Sequence, residues 1–213
     1  MNRRTIIIIT AIVAAGLFVI GGLLYSPPSK EVAVAQPSSN EAPLVRPHAP
    51  VFGAKDAPVT IVEFFDYNCG YCKRSFAPLM EVLEENKDVR LVFKEYPILG
   101  EPSYLASSTA LAINDKMKYL TYHSKLMTHS GRVSQAVVEK ILGELKLPPQ
   151  KLQADAHSDK YVLQLAETRQ LADAIGVNGT PAFVINGQLF PGALNKAELT
   201  QAIKFARAEL KAK

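Results

Sequence analysis

The chain of 213 residues is 48% apolar and 21% charged, enough to bury a core and too apolar for a chain disordered throughout. Its 24 Lys and Arg against 20 Asp and Glu leave a net charge of +4, and Arg3 and Arg4 supply two of those charges. From Pro58 onward 19 basic and 17 acidic residues are interspersed, with no run of five like charges; without a basic patch, nucleic-acid binding is set aside.

Thr5 to Tyr25 carries no charge and follows Arg3-Arg4. As a helix rising about 1.5 Å per residue it reaches roughly 30 Å, the thickness of a bilayer core, and the two arginines would stay on the cytoplasmic side. Residues 1–25 therefore read as a retained signal-anchor or as a signal peptide cut near Ala33-Val34-Ala35. The run exceeds the roughly 7–15 apolar residues of a signal peptide, which favours an anchor over residues 5–25. Either way the rest of the chain is expected in the periplasm or an equivalent exported compartment, tethered to the inner membrane in the anchored case. Residues 26–57 hold Pro27, Pro28, Pro37, Pro43, Pro47 and Pro50 among small and polar residues, the composition of a flexible, partly extended spacer.

Residues 58–213 read as the exported domain. Val59 to Phe65 is β-branched and aromatic, a buried strand. Cys69-Gly70-Tyr71-Cys72 then opens a helical pattern with Cys72, Phe76, Leu79, Met80 and Leu83 on one face, and Pro78 inside it should kink the helix. Val89 to Tyr96 is a second strand. Helical periodicity follows over Leu105 to Ile113, Tyr119 to Met127, and after Ser134 with Val137, Val138, Ile141, Leu142 and Leu145 inward. Ser158 starts a further helix that Gly176 stops. Ala182 to Ile185 is a strand, Asn186-Gly187 a hairpin turn, and Gln188-Leu189-Phe190 the return. Asn195 and Glu198 form a capping box for the last helix.

The chain's only cysteines are Cys69 and Cys72. At a helix start, unsatisfied N–H groups and the helix dipole favour the Cys69 thiolate over the thiol. Cys72, one turn inward, is placed to resolve a mixed disulfide. A structural zinc site needs four ligands, and beyond these two only the scattered His48, His123, His129 and His157 remain. A purely structural disulfide closing so short a loop would stabilise little by chain entropy.

Val62-Glu63-Phe64-Phe65, Cys69-Gly70-Tyr71-Cys72 and the distant run from Gly176 to Val184, with Gly179-Thr180-Pro181 at its centre, resemble the DsbA-like thiol:disulfide interchange proteins. Within that family the Gly-Tyr dipeptide is most similar to the ScsC/Com1-type members. The resemblance spans about Val51 to Leu210 and implies an α/β thioredoxin fold with an inserted helical block at about 101–176. It implies Cys69 and Cys72 as catalytic, with their disulfide as the redox centre and no other cofactor or metal. Pro181 falls at the family's cis-proline position, and with Thr180 it would hold substrate. Glu63 falls at the strand carboxylate position, where it could relay the Cys72 proton; the alternative is a solvated, edge-facing Glu. Gly70 and Tyr71 lack the histidine of the most oxidising members, which implies a milder oxidant.

The function so implied is oxidation of thiols in unfolded or reduced exported proteins by a monomeric catalytic domain, with reoxidation by a membrane thiol oxidase of DsbB type. Thr180 also suits the isomerase or reductase direction, served by a DsbD-type reductase. A chaperone or copper-binding thiol protein is the reading outside enzymes. His123 reads as a structural residue of the helical insert, and the roles of Tyr67 and Asn68 are open at this level.

Overall fold

The computed structural model describes residue 44, residues 50–54 and residues 56–212; the expected anchor at residues 5–25 and most of the spacer lie outside them. Five strands form one sheet: β1 (Val51–Gly53), β2 (Val59–Phe65), β3 (Val89–Glu95), β4 (Ala182–Ile185) and β5 (Gln188–Pro191). Their order across the sheet is β1-β3-β2-β4-β5. β2 and β3 run parallel and the other pairs are antiparallel. A parallel pair needs a crossover, and helix α1 (Gly70–Glu85) supplies it. Between β3 and β4 stand α2 (Glu101–Ala112), α3 (Lys116–Thr128), α4 (Gln135–Glu144), α5 (Pro149–Ala156) and α6 (Asp159–Ala174), and α7 (Lys196–Ala212) closes the chain. This is the expected thioredoxin-like architecture with its helical insertion. Among the described residues no helix is long and apolar enough to cross a membrane.

β2 is buried at all seven positions, because helices or loops cover both faces of the central strand, and it therefore reads as a continuous apolar run. Alternation sends Ile61 and Phe65 to one face with Leu91, Phe93, Phe183 and Ile185. There they meet Phe76 and Leu79 of α1, Tyr119 and Tyr122 of α3, and Leu199 and Ile203 of α7. Val62 and Phe64 turn to the other face with Val92, Tyr96, Val184 and Ala172. Glu63 has the parity of Ile61 and Phe65, so its carboxyl is committed to the face that α1 covers.

Several local signals act as expected. Ser134 caps α4, its hydroxyl accepting from Val137 N–H, and Asn195 and Glu198 bond reciprocally at 3.0 and 2.8 Å. Asn186 and Gly187 both have positive φ, as the tight turn between β4 and β5 requires. Ser158 precedes α6 but makes no side-chain cap. Helix α1 continues through Pro78 to Glu85. On α1 the fully buried stripe is Cys72, Ser75, Phe76, Leu79 and Val82, with Met80 and Leu83 half-buried at its margin. Two elements have no counterpart in the sequence pattern. The edge strand β1 lies inside the stretch expected to be spacer, and α5 follows Pro148-Pro149. Leu44 is also buried, in the cluster with Val62 and Phe64, so the chain packs on the domain before the sheet begins.

Candidate active site

The loop from β2 to α1 is tied down on three sides. Asp66 is fully buried and accepts hydrogen bonds from the backbone N–H groups of Asn68 (2.7 Å), Ile98 (2.8 Å) and Leu99 (2.9 Å) and from the Ser103 hydroxyl (2.7 Å). The Asn68 side chain accepts from Val133 N–H at 2.7 Å and donates to Ser103 Oγ at 3.0 Å. One turn along, Lys73 Nζ donates to the carbonyls of His129 and Gly131, each at 2.8 Å. These bonds fasten the loop to α2 and to the α3–α4 connection, so the helical insert holds the dithiol in place. Asn68 therefore acts as a brace, and Tyr67 points into the core rather than into a groove.

Cys69 is the N-cap of α1 and keeps 7% of its surface exposed, while Cys72 is fully buried. Both are free thiols. Gly70 and Tyr71 begin the helix on the solvent side. Tyr71 is 61% exposed, and the Arg74 guanidinium lies 4.1 Å from the centre of its ring. The antiparallel register that pairs Phe64 with Ala182 sets the residues before Ala182 beside those after Phe65. Thr180 and Pro181, joined by a cis peptide bond, thus face the dithiol, and the Cys69 thiol donates to the Thr180 carbonyl at 3.2 Å.

Electrostatics divides the two sulfurs. The Cys69 pKa is lowered to about 5, first by a hydrogen bond from the Cys72 thiol, then by the Thr180 side chain and the N–H groups of Cys72 and Tyr71, against opposing burial. Cys72 is held as the thiol, chiefly by burial and further by its bond to Cys69; a charge on Glu63, were it ionised, would act the same way. One exposed edge of a thiolate backed by a buried thiol is the arrangement that thiol–disulfide exchange uses.

Glu63 is buried and not edge-facing. Neither of its oxygens has a hydrogen-bond partner, and burial pushes its pKa up to about 8, with Cys69 and Glu95 adding to the shift. A neutral carboxyl therefore sits within electrostatic reach of both cysteines.

Another buried acid escapes the sequence pattern. Glu95, at the end of β3, accepts from the hydroxyls of Tyr67 at 2.9 Å and Tyr119 at 2.8 Å. Burial raises its pKa to about 8 although those hydroxyls favour the charged form. His123 lies 3.2 Å from the Tyr67 oxygen through Nδ1. It is ringed by Phe65, Phe76, Phe93 and Tyr119, and burial lowers its pKa to about 3, so it is neutral. The signal for Glu95 is the one that marks Glu63: an acid on the same parity as core aromatics, here Phe93.

The family profile described as thioredoxin matches residues 46–205. Among solved structures, a thioredoxin-like oxidoreductase from Silicibacter pomeroyi is 39% identical, with a TM-score of 0.76 over 80% of this chain and 99% of that one. The catalytic domain of ScsC from Proteus mirabilis is 31% identical, with a TM-score of 0.68 over 76% of this chain and 90% of that one. Disulfide bond formation protein D of Bacillus subtilis is 27% identical over 77% of this chain and 78% of its own length. A Na(+)/H(+) antiporter from Salinispora arenicola is 29% identical over 74% of this chain, which spans only 24% of the antiporter's length. The resemblance to DsbA-like proteins carried by the Cys-Gly-Tyr-Cys and Gly-Thr-Pro motifs holds.

Proposed function

The chain belongs to the thioredoxin family, and from that premise we propose that it is a thiol–disulfide oxidoreductase that introduces disulfides into exported proteins. The observation that carries this direction is the acidity of Cys69. A stabilised thiolate stabilises the reduced dithiol, and a couple whose reduced form is stabilised is an oxidant.

In the forward reaction a substrate thiolate attacks the Cys69 sulfur of the Cys69–Cys72 disulfide. The S–S bond breaks and Cys72 leaves as a thiolate, taking the proton of Glu63. A second substrate thiolate then attacks the substrate sulfur of the mixed disulfide, and Cys69 departs as its stabilised thiolate. The substrate has lost two electrons and the enzyme has gained them. Thr180 and Pro181, facing Cys69, would hold the substrate strand through its backbone. Gly70 begins the helix with the Arg74 guanidinium as its neighbour, and Tyr71 offers an exposed ring at the start of the same helix.

Reoxidation would fall to a membrane thiol oxidase of DsbB type. The charge-free Thr5–Tyr25 run behind Arg3 and Arg4 supports a periplasmic domain tethered to the inner membrane, near such a partner. Thr180 supports a second direction, isomerisation or reduction with a DsbD-type donor. The redox state of Cys69 and Cys72 in cells tests the choice: mostly oxidised is expected, and mostly reduced would transfer the assignment to the second direction. Replacing Cys72 by Ser tests the chemistry itself. Substrates should accumulate as mixed disulfides on Cys69, and a non-reducing gel without adducts would favour a binding protein instead.

A further inference from the structure

The exchange just described uses one buried carboxyl, yet two lie on the same face of the sheet. Glu63 pairs with Phe93 and Phe65 with Glu95 across the parallel strands, so Glu63 and Glu95 share a face, two residues apart along neighbouring strands. At the usual strand spacing and rise their backbones are about 8 Å apart. No water-accessible surface of note reaches either side chain. Burying two carboxylates so close together is unfavourable, and the first to ionise keeps the other neutral.

Hydrogen bonds decide which one ionises. Each tyrosine hydroxyl has a single proton. Tyr67 and Tyr119 both direct theirs to Glu95 Oε1, which leaves His123 Nδ1–H as the donor to the Tyr67 oxygen. The chain His123 to Tyr67 to Glu95, with Tyr119 from the other side, thus ends on one oxygen with every donor aimed at it. Glu63 accepts nothing.

The remaining ionisable groups act on both members of the pair, and Asp66 acts against the ionisation of Glu95, which the hydrogen bonds to Glu95 must outweigh. Asp66, Tyr67, Tyr119 and Tyr122 bear on Glu95 from the end of β2 and from α3. Cys69 and Cys72 of α1 bear on Glu63. His123 is neutral and adds no charge.

We propose that Glu95 is a positioning residue: it ionises first in this buried pair, and its charge keeps the proton on Glu63 beside Cys72. Proton delivery to the departing Cys72 thiolate then remains available at a pH where a lone Glu63 would already have lost its proton. The benefit to catalysis rests on Glu63 being the donor to Cys72; the order of ionisation does not.

The test follows the side-chain carboxyl resonances of the reduced, full-length protein, labelled with carbon-13 at glutamate, from pH 4 to 10, with Glu63→Gln and Glu95→Gln providing the assignments. Glu95 should titrate below Glu63, and in Glu95→Gln the Glu63 midpoint should fall by about one pH unit. The alkaline limb of the exchange rate should move down with it. A Glu95 with a merely structural role would lower the rate at every pH and leave that midpoint in place. A Glu63 that ionises first, or one indifferent to Glu95→Gln, overturns the proposal. Should Glu95→Gln fail to fold, Tyr119→Phe removes one donor while keeping the carboxyl. It should draw the two midpoints together or invert them, and an unchanged separation counts against the proposal. Failure of the relay itself would show differently, as an exchange rate unaltered in Glu63→Gln with the titration order intact.

Discussion

Replacing Glu63 by Gln should make the protein more resistant to unfolding at neutral pH and not at acid pH. In the folded chain the carboxyl is buried without a hydrogen-bond partner, and its pKa stands at about 8 against an ordinary 4.5. The folded state therefore binds more protons than the unfolded one between those values, and stability falls as pH rises through that window. Below pH 4.5 the group is protonated in both states and contributes no such loss. At about 1.4 kcal/mol per pH unit, the interval from 4.5 to pH 7 corresponds to a loss of about 3 kcal/mol. Gln has nearly the same shape and cannot ionise. Its own burial is unfavourable, but equally so at every pH, so the quantity to compare is the change between pH 4.5 and pH 7. Urea unfolding of the reduced full-length protein, followed by circular dichroism because the chain has no Trp, gives that change directly. The variant should gain about 3 kcal/mol on the parent over this interval. Parallel pH profiles for the two would refute a buried, neutral Glu63.

Brief iodoacetamide labelling of the reduced protein near pH 6 should fall on Cys69, whose pKa is about 5, and spare the buried Cys72; peptide mass mapping reads the site, and modification mainly of Cys72 would reverse their roles. A glutathione titration should place the potential of the pair between roughly −120 mV, typical of a strong DsbA-type oxidase, and roughly −270 mV, typical of thioredoxin. A thiolate of intermediate acidity stabilises the reduced form to an intermediate degree, and a value outside that interval would contradict this reasoning. Asp66→Ala leaves three backbone N–H groups and the Ser103 hydroxyl without their acceptor and should destabilise by about 3–5 kcal/mol; a thermal melt within a degree of the parent would show that the loop does not depend on this anchor.

Much of the fold is written in local pattern. The all-apolar run of β2, the Asn186-Gly187 turn, and the caps at Ser134 and at Asn195 with Glu198 depend on neighbours only a few residues away, so the sequence states them directly. The same holds in part for the dithiol, since the Cys72 thiol and the N–H groups that favour the Cys69 thiolate belong to the helix that follows it, while Thr180 arrives from far along the chain. β1 is different: Val51 to Gly53 is too short to carry a period, and becomes a strand only because β3 offers an open edge with Val92 opposite Val51. Helix α5 is likewise short, with room for about two turns after Pro148, too few to display a helical period.

The burial of Glu63 could be suspected from its place in an apolar strand, but an edge-facing Glu gives the same local pattern. Only the order β1-β3-β2-β4-β5, which makes β2 central, removes the solvated alternative. The Glu95 network lay further from reach. Tyr119 and His123 are four apart on α3, but Tyr67 follows β2 and Glu95 ends β3, and no spacing along the chain relates these three elements. Hydrogen bonds between side chains depend on distances that packing sets, and in this site packing also decides which buried acid has donors and which has none.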